Sequence, residues 1–454
     1  MKPDKKSARL TRRKFLQRTA LAGSAAIAFP YIRTANAAGK LSMGFWDHWV
    51  PGANDTLTKL VHEWADKEKV EVQVDYITSN GFKNLLTIQA EAQAKSGHDF
   101  LAFPTWEPLG HAELLEPMDD VMKELIAANG DVNPVVQYLG KAKSGHWVAA
   151  PASPGSQVKT PVARISLMKN LAGMDVQAAY PKSAPPNKEL ADKWTWDAFA
   201  DAAAKCAKGD HAFGMPMGQT SDAVDWVGTV FHAYGAEMVN AKGEITIKSD
   251  ATKQVMEWFK KVAPNLPPDC WAWDDAGNNK WLVSGKGALI MNPPSAWAVA
   301  KRDAPQVAAD CWTIDAPVGP KGRFAPFLPF FWGVWSFSPN KSAAKSLITF
   351  LSSRSSAEKL VAASQGYDLP SYAKLTDFKT WDEEGPPPGT LSHYPNRDGQ
   401  ILSVAAAPAP PEIAVQIYNQ ALGTKMVYKM MRENQTIDQA IAWASGELEG
   451  YLRG

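Results

Sequence analysis

Residues 271–297 read WAWDDAGNNKWLVSGKGALIMNPPSAW and hold Trp271, Trp273, Trp281 and Trp297, four of the 18 tryptophans in the chain. Among them run Asp274, Asp275, Asn278 and Asn279. Indole faces beside carboxylates and amides can grip a hydroxylated ring, with the ligand's apolar face on the aromatic face and its hydroxyls on the polar side chains. Trp271, Trp273 and Asp274 are therefore candidate ligand contacts. Trp281, on a helix ahead of the turn Ser284-Gly285-Lys286-Gly287, reads as core. A second concentration of the same residue types lies far upstream: Trp46, Asp47, His48 and Trp49, then Asn80, then Trp106 and Glu107. His48 has no partner at metal-ligand spacing, and no cysteine cluster or His-rich run stands elsewhere, so neither a metal nor a cofactor is expected. The aromatic set would also serve as a cage for a quaternary ammonium compound.

The elements that must position these groups are legible around the upstream set. Residues 40–46 form a short strand and 47–52 a turn, after which Asn54 or Asp55 can cap a helix. In that helix Leu57, Leu60, Val61 and Trp64 share one face. Val70, Val72, Val74 and Tyr76 alternate as a strand, residues 80–89 start a second helix, and residues 98–103 give a third strand. Strand, helix, strand, helix, strand means an α/β fold with a parallel sheet, and such sheets bind ligands beyond the carboxyl ends of their strands. Those ends are residues 46–49, 78–80 and 104–108, where the candidates cluster. Further on, Thr195 caps a helix anchored by Trp196 and Phe199, and Asp250 caps one whose Val255, Trp258, Phe259 and Val262 share a face. Residues 417–452 read as two amphipathic helices, the last beginning at Thr436.

In order along the chain these segments resemble family 1 extracellular solute-binding proteins, the maltose-binding-protein-like receptors of ABC importers. The motifs are Phe45-Trp46-Asp47-His48-Trp49, Leu114-Leu115-Glu116-Pro117-Met118-Asp119-Asp120, Gly145-His146-Trp147-Val148-Ala149-Ala150-Pro151, Thr195-Trp196, the run from Ser284 to Trp297, Phe330 to Lys341, and Gln365-Gly366-Tyr367-Asp368-Leu369-Pro370. The resemblance implies a two-lobed periplasmic-binding-protein fold, with a ligand cleft between lobes joined by crossing hinge strands. It places residues 38–151 and 315–352 in the N-terminal lobe, and 152–314 and 353–454 in the C-terminal lobe. The polar run 151–162 suits the first crossing and residues 311–318 the second. The resemblance also makes Trp297 a stacking platform and brings Trp332 and Tyr367 to the pocket. Phe331-Trp332 replaces the family's usual glycine pair, so ligand shape should differ from the family pattern. The implied role is capture of a carbohydrate or polyol for a membrane permease and, through it, an ATPase subunit, by a monomeric receptor. Only Lys159 and Arg323, near the crossings, could bring positive charge to the site, so a strongly anionic ligand is disfavoured.

The N-terminus reads as an export signal over residues 1–37. Eight basic residues precede an apolar stretch too short for a permanent membrane span, and Ala35-Asn36-Ala37 is a small-x-small cleavage site. Arg12-Arg13-Lys14-Phe15-Leu16 matches the twin-arginine translocation consensus. No cysteine stands at the cleavage point, so a freely diffusing periplasmic protein without a lipid anchor is expected. Without the nine basic residues and one acid of that segment, 39 Lys and Arg face 46 Asp and Glu. Such a surface offers no basic stripe for nucleic acid. Cys206, Cys270 and Cys311 allow either a Cys270–Cys311 disulfide or three separate buried thiols. No G-x-G-x-x-G, G-x-S-x-G or H-E-x-x-H is present, which argues against an enzyme. The remaining catalytic reading is an exported glycoside-acting enzyme with Glu107 and Asp274 as its carboxylate pair.

Overall fold

β1 (Leu41–Trp46) lies at the centre of a parallel trio, between β2 (Val72–Ile77) and β3 (Phe100–Pro104). The helices Pro51–Glu68 and Lys83–Ala94 make the two crossovers. This is a computed structural model, and it describes residues 40–292, 294–384, 387–390 and 401–453. The expected export signal over residues 1–37 lies outside the described residues. Leu57, Leu60, Val61 and Trp64 form the buried face of the first helix. That helix starts earlier than its sequence suggests, with Pro51 in its first turn, because proline's fixed φ suits that position. Asn54 is therefore not its cap: its side chain accepts from the His48 N–H at 3.2 Å and donates to Asp47 at 2.8 Å, pinning the turn that carries the first candidates.

Two long antiparallel strands cross between the lobes. β4 (Ala150–Val158) occupies the polar run expected there. Beyond it the chain enters a small second sheet, in which β5 (Val162–Arg164) sits between β6 (Leu289–Ile290) and β7 (Cys311–Thr313). Residues 311–318 are thus not the second crossing: their first half is held in the second lobe by β5. After β8 (Val318–Gly319), the thirteen-residue β9 (Gly322–Val334) returns the chain, pairing with β4 and then with β3. β10 (Ile401–Ser403) pairs in parallel with residues 324–326 of β9. Between Ala152 and Gln157 the β4–β9 register slips. Gly155 sits in this slip at φ +88°, and a Cβ there would meet the Phe330 ring at 2.8 Å, so only glycine fits.

The second lobe is built on the helices Trp196–Lys208, Ser221–Tyr234 and Asp250–Val262. Thr195 caps the first, its hydroxyl accepting from the Ala198 N–H at 3.0 Å. Trp196 and Trp258 meet edge to face at 5.1 Å, and the Trp258 indole N–H donates to the Trp196 carbonyl. Ser249 rather than Asp250 caps the third helix, leaving Asp250 in its first turn, where its charge opposes the positive end of the helix dipole. Residues 417–452 hold the two expected helices, Leu422–Arg432 and Ile437–Tyr451, and a further helix, Pro411–Asn419, precedes them. Pro411–Asn419 packs on the short first-lobe helix Glu107–Gly110 and Leu422–Arg432 on Ser221–Tyr234, so this region touches both lobes. The helix Arg354–Ala363 packs on Pro51–Glu68 and β4, on the first lobe, where the sequence reading puts it in the second. All three cysteines are unpaired and buried.

Candidate functional site

A cleft opens at the carboxyl ends of β1, β2 and β3, roofed by the crossing strands. Its first-lobe wall is aromatic. Trp46 closes β1, and its ring lies 5.2 Å from Phe330 and 4.9 Å from His48. Tyr367 is wholly buried behind them at 6.1 Å from Trp46. Burial, followed by the charge of Asp368, holds the Tyr367 hydroxyl well above the ordinary tyrosine pKa. Trp49, half-buried, forms the lip together with Phe82, which is 40% exposed and held at φ +59°. Glu107 reaches the cleft from the helix after β3, accepting from Asn419 at 2.9 Å and lying 3.5 Å from His111.

The opposite wall is polar and acidic. Thr220 caps the helix Ser221–Tyr234 and places Asp222 in its first turn, facing the cleft. Asp275, Asn292 and Ser295 continue this wall. Beneath it lies Lys159, fully buried just past β4, with its ammonium 2.6 Å from Asp222 and 2.7 Å from Asp225. Burial alone would lower the lysine's pKa, but the two carboxylates outweigh it and hold the group above its usual value. The second oxygen of Asp222 accepts from Asn278 at 2.9 Å. Asp275 is different: its Oδ1 is buried with no hydrogen-bond partner among the described residues. Burial, and next the charge of Asp222, push its pKa up to about 7. Among the described residues no Lys, Arg or His lines the cleft. Among the described residues no group of three or more His, Cys, Asp or Glu is arranged to hold a metal ion.

Of the side chains expected at the site, Trp46, Trp49, Glu107 and Tyr367 line this cleft. The others do not. Asp47 is exposed and holds Asn54. His48 is buried behind Trp46, accepting from the Val50 N–H and paired with Asp368 at 3.0 Å. Asn80 is exposed at the start of a single turn whose neighbours Ser79 and Phe82 reach the cleft. Trp106 is buried edge-on against Tyr138, and Trp332 packs under Phe45 in the first-lobe core. In the downstream stretch Trp271 packs edge-on with Tyr428, Trp273 lies against Trp281, and Asp274 accepts from the Ala276 N–H. Trp297, expected as a stacking platform, does not line this cleft and is buried in a second-lobe cluster with Val162, Leu282 and Ile290. The acid that stretch does supply is Asp275, one residue beyond the one expected.

Gln157, Asp222, Phe330 and Tyr418 also line the cleft and are not anticipated as contacts. The polar run 151–162 was a usable signal for Gln157, which the register slip turns inward. Phe330 stands at the head of a noted motif. Asp222 and Tyr418 lie on helices whose approach to the cleft is a matter of tertiary packing alone.

Residues 59–386 match the family described as bacterial extracellular solute-binding protein. A relative in Sinorhizobium fredii, named "Probable amino-acid ABC transporter periplasmic-binding protein", is 24% identical over 284 residues, 60% of this chain. The match likewise spans only 60% of that relative's length. Among solved structures, maltose-bound MalE3 of T. maritima is 17% identical with a TM-score of 0.70, covering 90% of this chain and 99% of its own. A solute-binding protein of Agrobacterium radiobacter in complex with ribitol is 16% identical with a TM-score of 0.67, covering 90% and 98%. These likenesses show the mixed α/β, two-lobed fold. Among the described residues no helix is long and apolar enough to cross a membrane.

Proposed function

Because the chain belongs to the bacterial extracellular solute-binding proteins, we propose that it is the periplasmic substrate-binding component of an ABC importer. It captures a sugar or polyol in the interlobe cleft and delivers it to a membrane permease driven by an ATPase subunit. The observation that carries this reading is the pairing of the two walls: indole and phenol rings on one lobe face hydroxyls, amides and carboxylates on the other, across two crossing strands. A ring held on the aromatic wall leaves its edge hydroxyls for the polar wall once the lobes close. The bound maltose and ribitol of the similar structures support the ligand class. We assign contact roles to Trp46, Trp49, Glu107, Tyr367, Gln157, Asp222, Asp275 and Tyr418. The carboxylates are read as binding groups, since Glu107 is engaged by Asn419 and Asp222 by Lys159 and Asn278. The protein acts as a monomer, exported by the twin-arginine route and without a lipid anchor.

A thermal-shift screen followed by calorimetry tests this with mono- and oligosaccharides, polyols, amino acids, betaine and choline. A ligand bound by the folded state alone raises the melting temperature through mass action. Stabilisation by a sugar or polyol is the expected result. Stabilisation only by amino acids or by quaternary amines would replace the ligand class, and turnover of a glycoside would replace the function.

A further inference from the structure

Among the described residues three carboxylates, from Glu107, Asp222 and Asp275, face the cleft, and no cationic side chain lines it. Among the described residues the buried cation nearby is Lys159, and it already serves Asp222 and Asp225, so it is not free to pair with Asp275. Glu107 and Asp222 have donors of their own, whereas the buried Oδ1 of Asp275 has none. A second acceptor stands open in the same cleft. Gln157 is 6% exposed, and its Oε1 is buried without a hydrogen-bond partner. Buried acceptors left unsatisfied are costly, and here both belong to the ligand-facing surface.

We infer that the solute carries a protonated amine, as an amine-bearing sugar or polyol does, and that the ammonium is seated against Asp275 with Asp222 beside it. This rests on the cleft being the ligand site. A hydroxyl would supply a donor but bring no positive charge to this acidic cleft. A primary ammonium supplies three donors and the missing positive charge together. The phenol rings of Tyr367 and Tyr418, both lining the cleft, suit a cation approaching them. In the free protein, burial and neighbouring acids favour a proton on Asp275, and the amine replaces that proton as the source of positive charge.

Calorimetry with matched pairs tests the inference: glucosamine against glucose and N-acetylglucosamine, and 1-amino-1-deoxysorbitol against sorbitol. The amine of at least one pair should bind about tenfold or more tightly than its neutral partners, the worth of one charge-assisted hydrogen bond. In the Asp275→Asn variant that preference should vanish while the melting temperature of the free protein stays level or rises. Neutral members binding as well as the amines would overturn the inference and leave the solute-binding reading standing. Choline binding in place of the primary amines would overturn it as well, because choline's nitrogen has no N–H to donate. An amine preference that survives in Asp275→Asn would overturn the assigned seat. Silence from every pair, with another neutral sugar or polyol bound in the same calorimetry, would overturn the inference and leave the sugar-or-polyol reading standing.

Discussion

The two walls of the cleft are built in opposite ways. On the first lobe the cleft-lining side chains are large rings fixed by one another: Trp46 is wedged among Phe330, His48 and Tyr367, and His48 is locked in turn by Asp368 and the Val50 N–H. On the second lobe they are small and charged, set by a helix cap at Thr220 and by the buried pairing of Lys159 with Asp222 and Asp225. A wall of rings supplies apolar area and tolerates a range of ligand orientations. A wall of hydrogen-bonding groups supplies direction, and it discriminates because a group left unpaired costs more than a matched one gains. The difference separates how tightly the protein holds a solute from which solute it holds.

The largest effect should come from breaking the polar wall at its foundation. Lys159→Met leaves Asp222 and Asp225 buried without their cation, and unfolding in denaturant should show a loss of about 3–5 kcal/mol. Retention of full stability would mean that those carboxylates are solvated or protonated and that the wall is not held as described. Next comes Trp297, which the second lobe uses as core. Trp297→Ala should cost about 3–5 kcal/mol of stability, yet the fraction that remains folded should bind ligand with unchanged affinity. Weakened binding without destabilisation would return this ring to the site.

Trp49→Ala probes the aromatic lip. The residue is only half-buried, so melting should scarcely change, while affinity should fall about tenfold through the loss of one aromatic face. Asp275 gives the sharpest contrast, because it responds to pH. Its pKa in the folded protein is raised to about 7 by burial first and by Asp222 next, with Asp274 and Asp225 adding and Lys159 opposing. The folded state therefore holds this proton more tightly than the unfolded chain does. The stability it contributes is complete below the ordinary carboxylate value of 3.8 and is lost as pH rises through about 7. Melting of the free protein measured across that window should fall less steeply in Asp275→Asn than in the parent. Identical slopes would show that Asp275 is ionised and compensated without ligand.

Much of the architecture was legible in the residues. The alternation over residues 70–76 and the spacing of Leu57, Leu60, Val61 and Trp64 set a strand and a helix face, because side-chain periodicity follows directly from backbone geometry. Thr195 and Thr436 announced their helices, since a cap acts within four residues of chain. The carboxyl ends of β1 and β3 pointed to Trp46, Trp49 and Glu107, because a parallel sheet always opens there. The order of motifs along the chain pointed to the family.

Which tryptophans face solute was another matter. Trp297, Trp332 and Trp106 have the same chemistry as Trp46, and their neighbours in sequence are just as polar or aromatic. An indole is satisfied by any apolar surroundings large enough to receive it, so its role depends on which distant elements close over it. Val162 and Ile290 close over Trp297, Phe45 over Trp332, and Tyr138 over Trp106, whereas the space beside Trp46 and Trp49 stays open between the lobes. The same holds for charge. Sequence set Asp274 and Asp275 side by side as equals, and the fold turned Asp274 to its own helix end and Asp275 to the cleft. Local sequence determined the elements, their caps and their order. Only the packing of elements far apart in the chain decided which rings became core and which carboxylate was left without a partner, because burial is a property of what surrounds a side chain.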